Sequence, residues 1–385
     1  MSKISINEIL KVAPQIKLAT EEDNFRIIQF LKTVTMKTDG MELYYDRSPD
    51  FFSFLKEQGE KFFVFLFENK DSSLHGMAII TLRKAYVNNS IVSVGYLSDL
   101  RIDSKLDKRV RVIWRKIYAN ILKNCENIVE LNGCKYFYSA ILGGNETAIN
   151  SLTKNKGEII YHQVAQYKAV TILGRLFKIF LDRKYVLKQG NEIDHDNLIS
   201  FLDLQETKKM FGYVFNKEKN YEINRRLKYW KNYSLNNFLV VCKRDGTIVS
   251  ATLPWCDEES RKLVVKKASL INKVLGLSKY LLNTKPLFEG EPLKFLYLTH
   301  LVFDSSISIK DQHQIIKFYL QFLFRKGILK KYHGISFLDF SGFSNRLSGK
   351  KYVKQVTDGL FFQVAHSEKE LLSTDEKISF EIAIS

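Results

Sequence analysis

Three basic residues, Lys108, Arg109 and Arg111, crowd the start of a helix-period stretch that follows the strand-like run Ile91–Ile102. They belong to a wider asymmetry. The formal net charge is +17, yet residues 1–100 are close to neutral, and the basic excess begins at Arg101. Such a surface attracts anions: nucleic acid, phosphorylated cofactors or acidic lipid headgroups. A lysine-rich composition that serves solubility is the plain alternative. Asp99 and Arg101, two residues apart, share one face of the strand and are placed to form an ion pair. His75 and His162 read as satisfied surface or strand histidines. The four cysteines show no C-x-x-C spacing, so neither a zinc ribbon nor a disulfide framework is indicated. No H-E-x-x-H, P-loop or G-x-S-x-G occurs, so metalloprotease, nucleotide-hydrolase and α/β-hydrolase readings have no support.

The elements around these residues follow a readable order. A chain of 385 residues suggests two or three domains. With 28 Phe, 19 Tyr and only 5 Pro, disorder as the main state is excluded. No run approaches the ~18 apolar residues of a membrane helix, because Arg175 and Lys178 break the best candidate, Ala169–Leu181. The N-terminus lacks an apolar signal core, and a cytoplasmic protein with reduced thiols is expected. Ile16–Ala19 reads as a strand, followed by an acidic helix start that Thr20 can cap. A helix over Pro49–Gln58, strands at Phe62–Phe67, Gly76–Leu82 and Ile91–Ile102, and a hairpin turn at Val87–Ser90 come next. After Asp103 the period becomes helical, with Val112, Ile113, Tyr118, Ile121 and Leu122 as the apolar stripe. Strand Tyr136–Leu142, helix Glu146–Lys154 and strand Tyr161–Ile172 complete an α+β unit with a mixed sheet. The second half repeats the rhythm: strand Tyr185–Leu187, helix Asp194–Leu204 and a hairpin around Arg244-Asp245-Gly246. Strand Phe295–Phe303, helix Asp311–Phe324 and strands Ile335–Asp339 and Phe361–Val364 follow. Gly174–Arg183 reads as an amphipathic basic connector, and Asp257–Pro292 as an insertion.

The stretch Val94-Gly95-Tyr96-Leu97-Ser98-Asp99-Leu100-Arg101-Ile102-Asp103, running into Ser104–Arg111, resembles the cofactor segment of GNAT-type N-acetyltransferases. Asn145-Glu146-Thr147-Ala148-Ile149 is similar to that family's later "NxxAxxLYxKxGF" helix. The likeness covers about residues 14–172; the second half resembles a degenerate GNAT-like domain through topology. Taken whole, the chain is similar to bacterial tandem-domain GNAT-type proteins of unassigned substrate. The resemblance implies two GNAT-like acyl-CoA N-acyltransferase domains in tandem, with mixed sheets flanked by helices. These are residues 1–172, a connector over 173–184 and a second domain over 185–385, packed side by side.

It also implies an activity: CoA-dependent acyl transfer from acetyl-CoA, or another acyl-CoA, to the amine of a small molecule or peptide. Leu100, Arg101 and Ile102 would pair with the pantothenate arm, and Lys108, Arg109, Val110 and Arg111 would hold the pyrophosphate at a helix N-terminus. Asn145 would complete the cofactor set. The positions matching R-G-x-G are Asp107, Lys108, Arg109 and Val110, so both loop glycines are replaced. Ser151 and Leu152 stand where the family carries its acidic Tyr. Tyr138 is then the candidate proton donor and Asp99 the candidate base, with Asp99 paired to Arg101 as the alternative. Two other functions fit the same order: a Fem-like aminoacyl-tRNA-dependent transferase, or an inactive binder of acyl-CoA or nucleic acid. The second domain, whose loop Ser305–Gln312 has no Gly or Arg, reads as structural or acceptor-shaping.

Overall fold

The computed structural model describes residues 3–38, 40–131, 133–153, 158–176, 184–216, 218, 221–257, 259–268, 285–347, 351–372 and 377–385. The first half runs α1 (Ile6–Leu10), β1 (Ile16–Leu18), α2 (Asn24–Thr33), β2 (Met36–Thr38), β3 (Met41–Asp46), α3 (Phe51–Gln58) and β4 (Lys61–Glu68). It continues with β5 (Leu74–Val87), β6 (Ser90–Ile102), α4 (Lys108–Lys123), β7 (Tyr136–Leu142), α5 (Glu146–Thr153) and β8 (Ile160–Arg175). The second half runs β9 (Tyr185–Gln189), α6 (His195–Glu206), β10 (Lys209–Met210), β11 (Gly212–Tyr213), α7 (Tyr221–Tyr229), β12 (Leu239–Lys243) and β13 (Ile248–Trp255). Then come β14 (Lys262–Ala268), β15 (Pro292–Leu293), β16 (Phe295–Phe303), α8 (Ile309–Arg325), β17 (Gly334–Asp339), β18 (Tyr352–Ala365) and β19 (Lys377–Ile378).

One thirteen-stranded sheet spans both halves, in the order β1-β4-β5-β6-β7-β18-β8-β17-β16-β13-β12-β9 with β11 against β5. The order reads the same from either end once β1 is matched to β9, β4 to β12, β5 to β13, β6 to β16 and β7 to β17. The last pair closes the repeat by exchange. β8, from the first half, lies beside β17, and β18, from the second, lies beside β7. β8 and β18 then pair with each other from Ile160–Ala365 to Arg175–Tyr352. The halves therefore share a sheet where the sequence suggested two domains packed side by side. A short sheet, β15-β14-β3-β2, adds a second tie: β14, inside the expected insertion, pairs with β3 of the first half. Residues 177–183 of the expected connector lie outside the described residues.

The helices form for legible reasons. The Asp107 carboxylate caps α4 by accepting the Arg109 N–H, and the buried stripe of α4 is Val110, Trp114, Ile117 and Ile121. Val112, expected in that stripe, is exposed; the apolar run allowed two phases, and Trp114 decides between them by stacking near Phe65 and Phe67. Ser308 caps α8, which buries Ile315, Ile316, Tyr319, Leu320 and Leu323 against the same sheet face. At Gly95 a Cβ would fall 2.4 Å from the Phe137 ring, so glycine lets β6 and β7 meet there. Among the described residues no helix is long and apolar enough to cross a membrane.

Candidate functional site

β6 and β7 run parallel, but pair only at Val94–Tyr136, Gly95–Phe137 and Tyr96–Tyr138. Beyond Tyr96 the strands are no longer paired, while β7 stays paired on its other edge with β18 from Phe137–Val364 to Leu142–Gly359. The Ser139 hydroxyl donates to the Leu97 carbonyl at 3.0 Å, crossing the throat of the gap. Three residues past the last rung, Asp99 takes a left-handed φ of +48° and the β5–β6 register shifts. That bulge turns the strand, leaving Leu100 44% exposed on the lip of the gap. A free strand edge beside a bulge can pair with an extended amide-bearing ligand.

The charges around the bulge are settled internally. Asp99 accepts from Arg47 at 2.5 Å and from Arg101 at 3.0 and 3.1 Å. Burial alone would raise its pKa, but the two guanidinium groups outweigh burial and hold the carboxyl well below the usual range. A carboxylate held so firmly charged is a weak proton acceptor, and its geometry is that of an anchor, the ion pair with Arg101 expected beside the base role. Arg101 also lies over the Tyr45 ring at 4.9 Å. Ile102 pairs with Gly76 inside the ladder.

At the start of α4 the expected anion cradle is partly self-filled. Asp107 occupies the Arg109 N–H at 2.8 Å, and Arg111 donates to the Asp103 and Ser104 carbonyls at 3.0 Å each. Val110 is a core residue with a buried side chain, so only its main chain is available to a ligand at the helix start. Lys108 and Arg109 remain exposed at the helix start and are the cations able to meet a phosphate. Asn145 caps α5, its side-chain oxygen accepting the Ala148 N–H at 3.1 Å. His75 bonds Asp103 at 3.1 Å.

Tyr138 stands at the apex of the gap, on the last parallel rung. Its ring stacks on Tyr96 at 5.1 Å and Phe361 at 5.3 Å, and its hydroxyl accepts from Arg83 Nε at 3.2 Å. Arg83 is itself fixed by the Phe211 carbonyl at 2.6 Å and the Tyr213 ring at 4.0 Å. The structure thus brings Asp99, Leu100, Arg101 and Tyr138 to one gap, with Lys108 and Arg109 at the helix that follows. Asn145 sits past the far end of β7.

The second half repeats the backbone of this site. β16 and β17 pair in parallel only at Phe295–Gly334, Leu296–Ile335 and Tyr297–Ser336. Three residues on, His300 takes φ +51° beside a register shift against β13. Asp99 precedes α4, and His300 α8, by the same nine residues. His300 is buried among Phe215, Trp230, Tyr233 and Phe238. Its N–H donates to Glu381 at 2.6 Å, and no partner meets its Nε2. Burial, then Arg226, pushes the imidazole pKa well down, so it is neutral. Sequence reasoning missed Arg47, Arg83, His300 and Glu381. The signal for His300 was present: Asp99-Leu-Arg-Ile-Asp-Ser and His300-Leu-Val-Phe-Asp-Ser align without a gap. Among the described residues no set of three or more His, Cys, Asp or Glu side chains gathers as a metal site.

A mixed sheet, a splayed parallel pair with a bulge on its leading strand, and a helix crossing back from that strand define the GNAT-type acyltransferase fold. The chain carries it twice in tandem. Its fold is similar to that of Saccharomyces cerevisiae N-myristoyltransferase with bound myristoyl-CoA, at 12% identity and TM-score 0.55. That alignment covers 95% of this chain and 87% of that one. A second crystal structure of the yeast enzyme with bound myristoyl-CoA, at 12% identity and TM-score 0.54, covers 94% and 82%. A GCN5-related glucosamine N-acetyltransferase region of a fungal multi-domain GH3 β-N-acetylglucosaminidase aligns at 8% identity and TM-score 0.55, covering 92% of this chain and 38% of that one. At these identities the likeness is one of fold. No protein-family model and no curated protein sequence matches the chain.

Proposed function

We propose that the protein is a CoA-dependent N-acyltransferase whose reaction centre is the β6–β7 gap, with a short acyl group, acetyl, passing to the amine of a small molecule or peptide. The observation that carries this reading is the splay of β6 from β7 past Tyr96 and Tyr138, beside the bulge at Asp99. Folds similar to this one have been crystallised with myristoyl-CoA, which supports an acyl-CoA as the donor. A short acyl group suits the apex, which Tyr96, Tyr138 and Phe361 close on one face and Phe137 against Gly95 on the other. The residues present fit the coenzyme in part. The strand edge near Leu100 is free, and Lys108 and Arg109 can meet phosphate, but Asp107 already caps the helix.

When bound, acyl-CoA supplies an activated thioester carbonyl. The main chain near Leu100 orients it, and a strand-edge N–H there can polarise the carbonyl oxygen. Tyr138 holds a proton at the apex, and Arg83 donates to its oxygen, which leaves the phenol hydrogen free for a departing thiolate. The packed rings of Tyr96 and Phe361 exclude water from that side. Arg47, Asp99 and Arg101 fix the bulge. The second half shapes the acceptor side.

Two measurements test this. Calorimetry with the full chain should show acetyl-CoA binding; no binding would remove the coenzyme from the reading. Tyr138→Phe keeps the stacking and removes only the hydroxyl, so turnover with a primary amine should fall ~10²–10⁴-fold, the usual range for a general acid. Unchanged turnover from pH 6 to 9 would reject Tyr138 as the donor.

A further inference from the structure

We propose that the second half carries a site for the phosphate group of a small phosphorylated ligand, built by Lys168, Lys317, Arg346, Lys351 and Lys354 around the turn Phe343–Arg346. The site uses none of the residues assigned to acyl transfer. Its cations come from four separate places: β8, α8, the turn after β17, and the start of β18. Lys168 reaches the Asn345 side chain at 2.8 Å, and Lys354 reaches the neighbouring Ser344 carbonyl at 3.2 Å. Arg346 is the next residue along the turn. Lys317 bonds Gln314 at 3.1 Å on the side of α8 that carries His313. Among the described residues none of the five forms an ion pair.

Two carboxylates stand among the five cations and leave them in excess: Asp339 and Asp358 lie opposite Lys168 in the ladders on either side of it, and Asp339 also attracts Lys354. Asp339 spends its oxygens on the N–H groups of Ser341, Gly342 and Ser344, at 2.9, 2.7 and 2.7 Å, and so builds the turn. His313, 7% exposed, closes the buried end of the cluster with its Nδ1 unpartnered. Burial, then Lys317 and Arg346, brings its pKa down to about 4, so a neutral ring sits there as a hydrogen-bonding group. The cations also press on one another. Burial and Lys351 lower the pKa of Lys317; burial and Lys168, against the pull of Asp339, lower that of Lys354.

Like charges held together repel, and an anion of charge near −2 relieves that repulsion while accepting several charge-assisted bonds. Lys168 and Lys354 bond to one four-residue turn that carries Arg346, and the helix of Lys317 packs against that turn, so the cations gather at one place instead of tracking along a stripe. That shape suits a single phosphate or diphosphate better than a polynucleotide backbone. The phosphate has two possible sources, the nucleotide end of the coenzyme or a phosphorylated acceptor.

Inorganic pyrophosphate is the first probe, titrated calorimetrically into the full chain at low ionic strength. Lys317→Gln with Lys351→Gln should weaken it about tenfold or more, and Arg346→Gln, on the exposed turn, should weaken it in the same direction. Lys116→Gln with Lys123→Gln, on the outer face of α4, should not. The melting temperature of the Lys317/Lys351 variant should not fall, since the change removes repulsion. CoA and dephospho-CoA then separate the sources. A coenzyme source predicts weaker CoA binding in the variant, mimicked by loss of the 3′-phosphate; an acceptor source predicts CoA binding unchanged while pyrophosphate binding drops. Equal pyrophosphate affinity in wild type and variants would overturn the proposal, as would binding of an RNA oligomer but not of pyrophosphate. Pyrophosphate binding needs no acyl transfer, so failure of the enzymatic reading would not be confused with failure of this one.

Discussion

Asp99 in β6 and His300 in β16 occupy the same point of two equivalent strands, and their surroundings differ in kind. Asp99 is a charged residue between two guanidinium groups, Arg47 and Arg101, on a strand whose next residue is exposed. His300 is a neutral ring inside an aromatic cage, joined to a carboxyl group rather than to a cation. The backbone device, a left-handed residue three positions past the last parallel rung, has been kept in both halves. What surrounds it has not. The geometry belongs to the fold, and the chemistry belongs to the side chains placed on it.

The largest expected effect tests that contrast on stability. Asp99→Ala leaves the buried Arg47 without its carboxylate, and breaking a buried pair in this way costs about 3–5 kcal/mol. His300→Ala removes an uncharged ring and should cost less. Urea unfolding of both variants measures the difference. Equal losses would mean that packing, and not charge, holds the first bulge.

A smaller effect separates the two helices that follow the bulges. Lys108→Ala with Arg109→Ala should weaken acetyl-CoA by about 1–3 kcal/mol, the scale of lost charge-assisted bonds. Lys310→Ala, in the first turn of α8, should leave it unaltered. Asp107→Asn keeps an acceptor for the Arg109 N–H and removes a negative charge near the phosphates, so affinity should rise. Calorimetry on the three proteins decides. A double variant with wild-type affinity would move the coenzyme away from α4.

The sequence shows the first site better than the second for a physical reason. Strand and helix periods, the Asp99–Arg101 pair and the run into Lys108–Arg111 are local, and all can be read along the chain. The phase of α4 could not be, because Val112 and Trp114 are both apolar and only tertiary packing chooses between them. The exchange of β8 and β18 is non-local by nature, and no periodicity in Ile160–Arg175 says which neighbour that strand will take. The burial of Val110 was hidden in the same way, since its place in the matched loop motif says nothing of where its side chain packs. Arg47 and Glu381 reach the two bulges from distant segments, and Arg83 reaches Tyr138 in the same way, so nothing next to Asp99, His300 or Tyr138 announces them.

The smallest expected effect is a pH dependence that only one of the two bulges carries. Burial, against the opposing pull of Arg226, raises the Glu381 carboxyl to about 7. A carboxyl raised on folding favours the native state while it is protonated. That contribution is complete below the unfolded value near 4.5 and is lost as pH climbs to about 7. Asp99 has the opposite sign: its folded value is depressed, so its stabilisation is constant above the ordinary carboxylate range and fades only in acid. Between pH 5 and 7 the first bulge is therefore silent and the second is not. Glu57, buried where α3 meets Arg225 and Trp230 of the second half, extends the same loss upward. Burial and the nearby Asp257 raise it to about 9. Glu381→Gln keeps an acceptor for the His300 N–H and cannot ionise, so it should lessen the fall in stability that melting temperatures record between pH 5 and 7, the part that remains being the share Glu57 loses over the same range. The fall from 7 to 9 should persist in that variant and disappear in Glu57→Gln. A Glu381→Gln protein that still loses stability from pH 5 to 7 as the wild type does would show that the carboxyl at His300 is already ionised, and the two bulges would then be less different than their surroundings suggest.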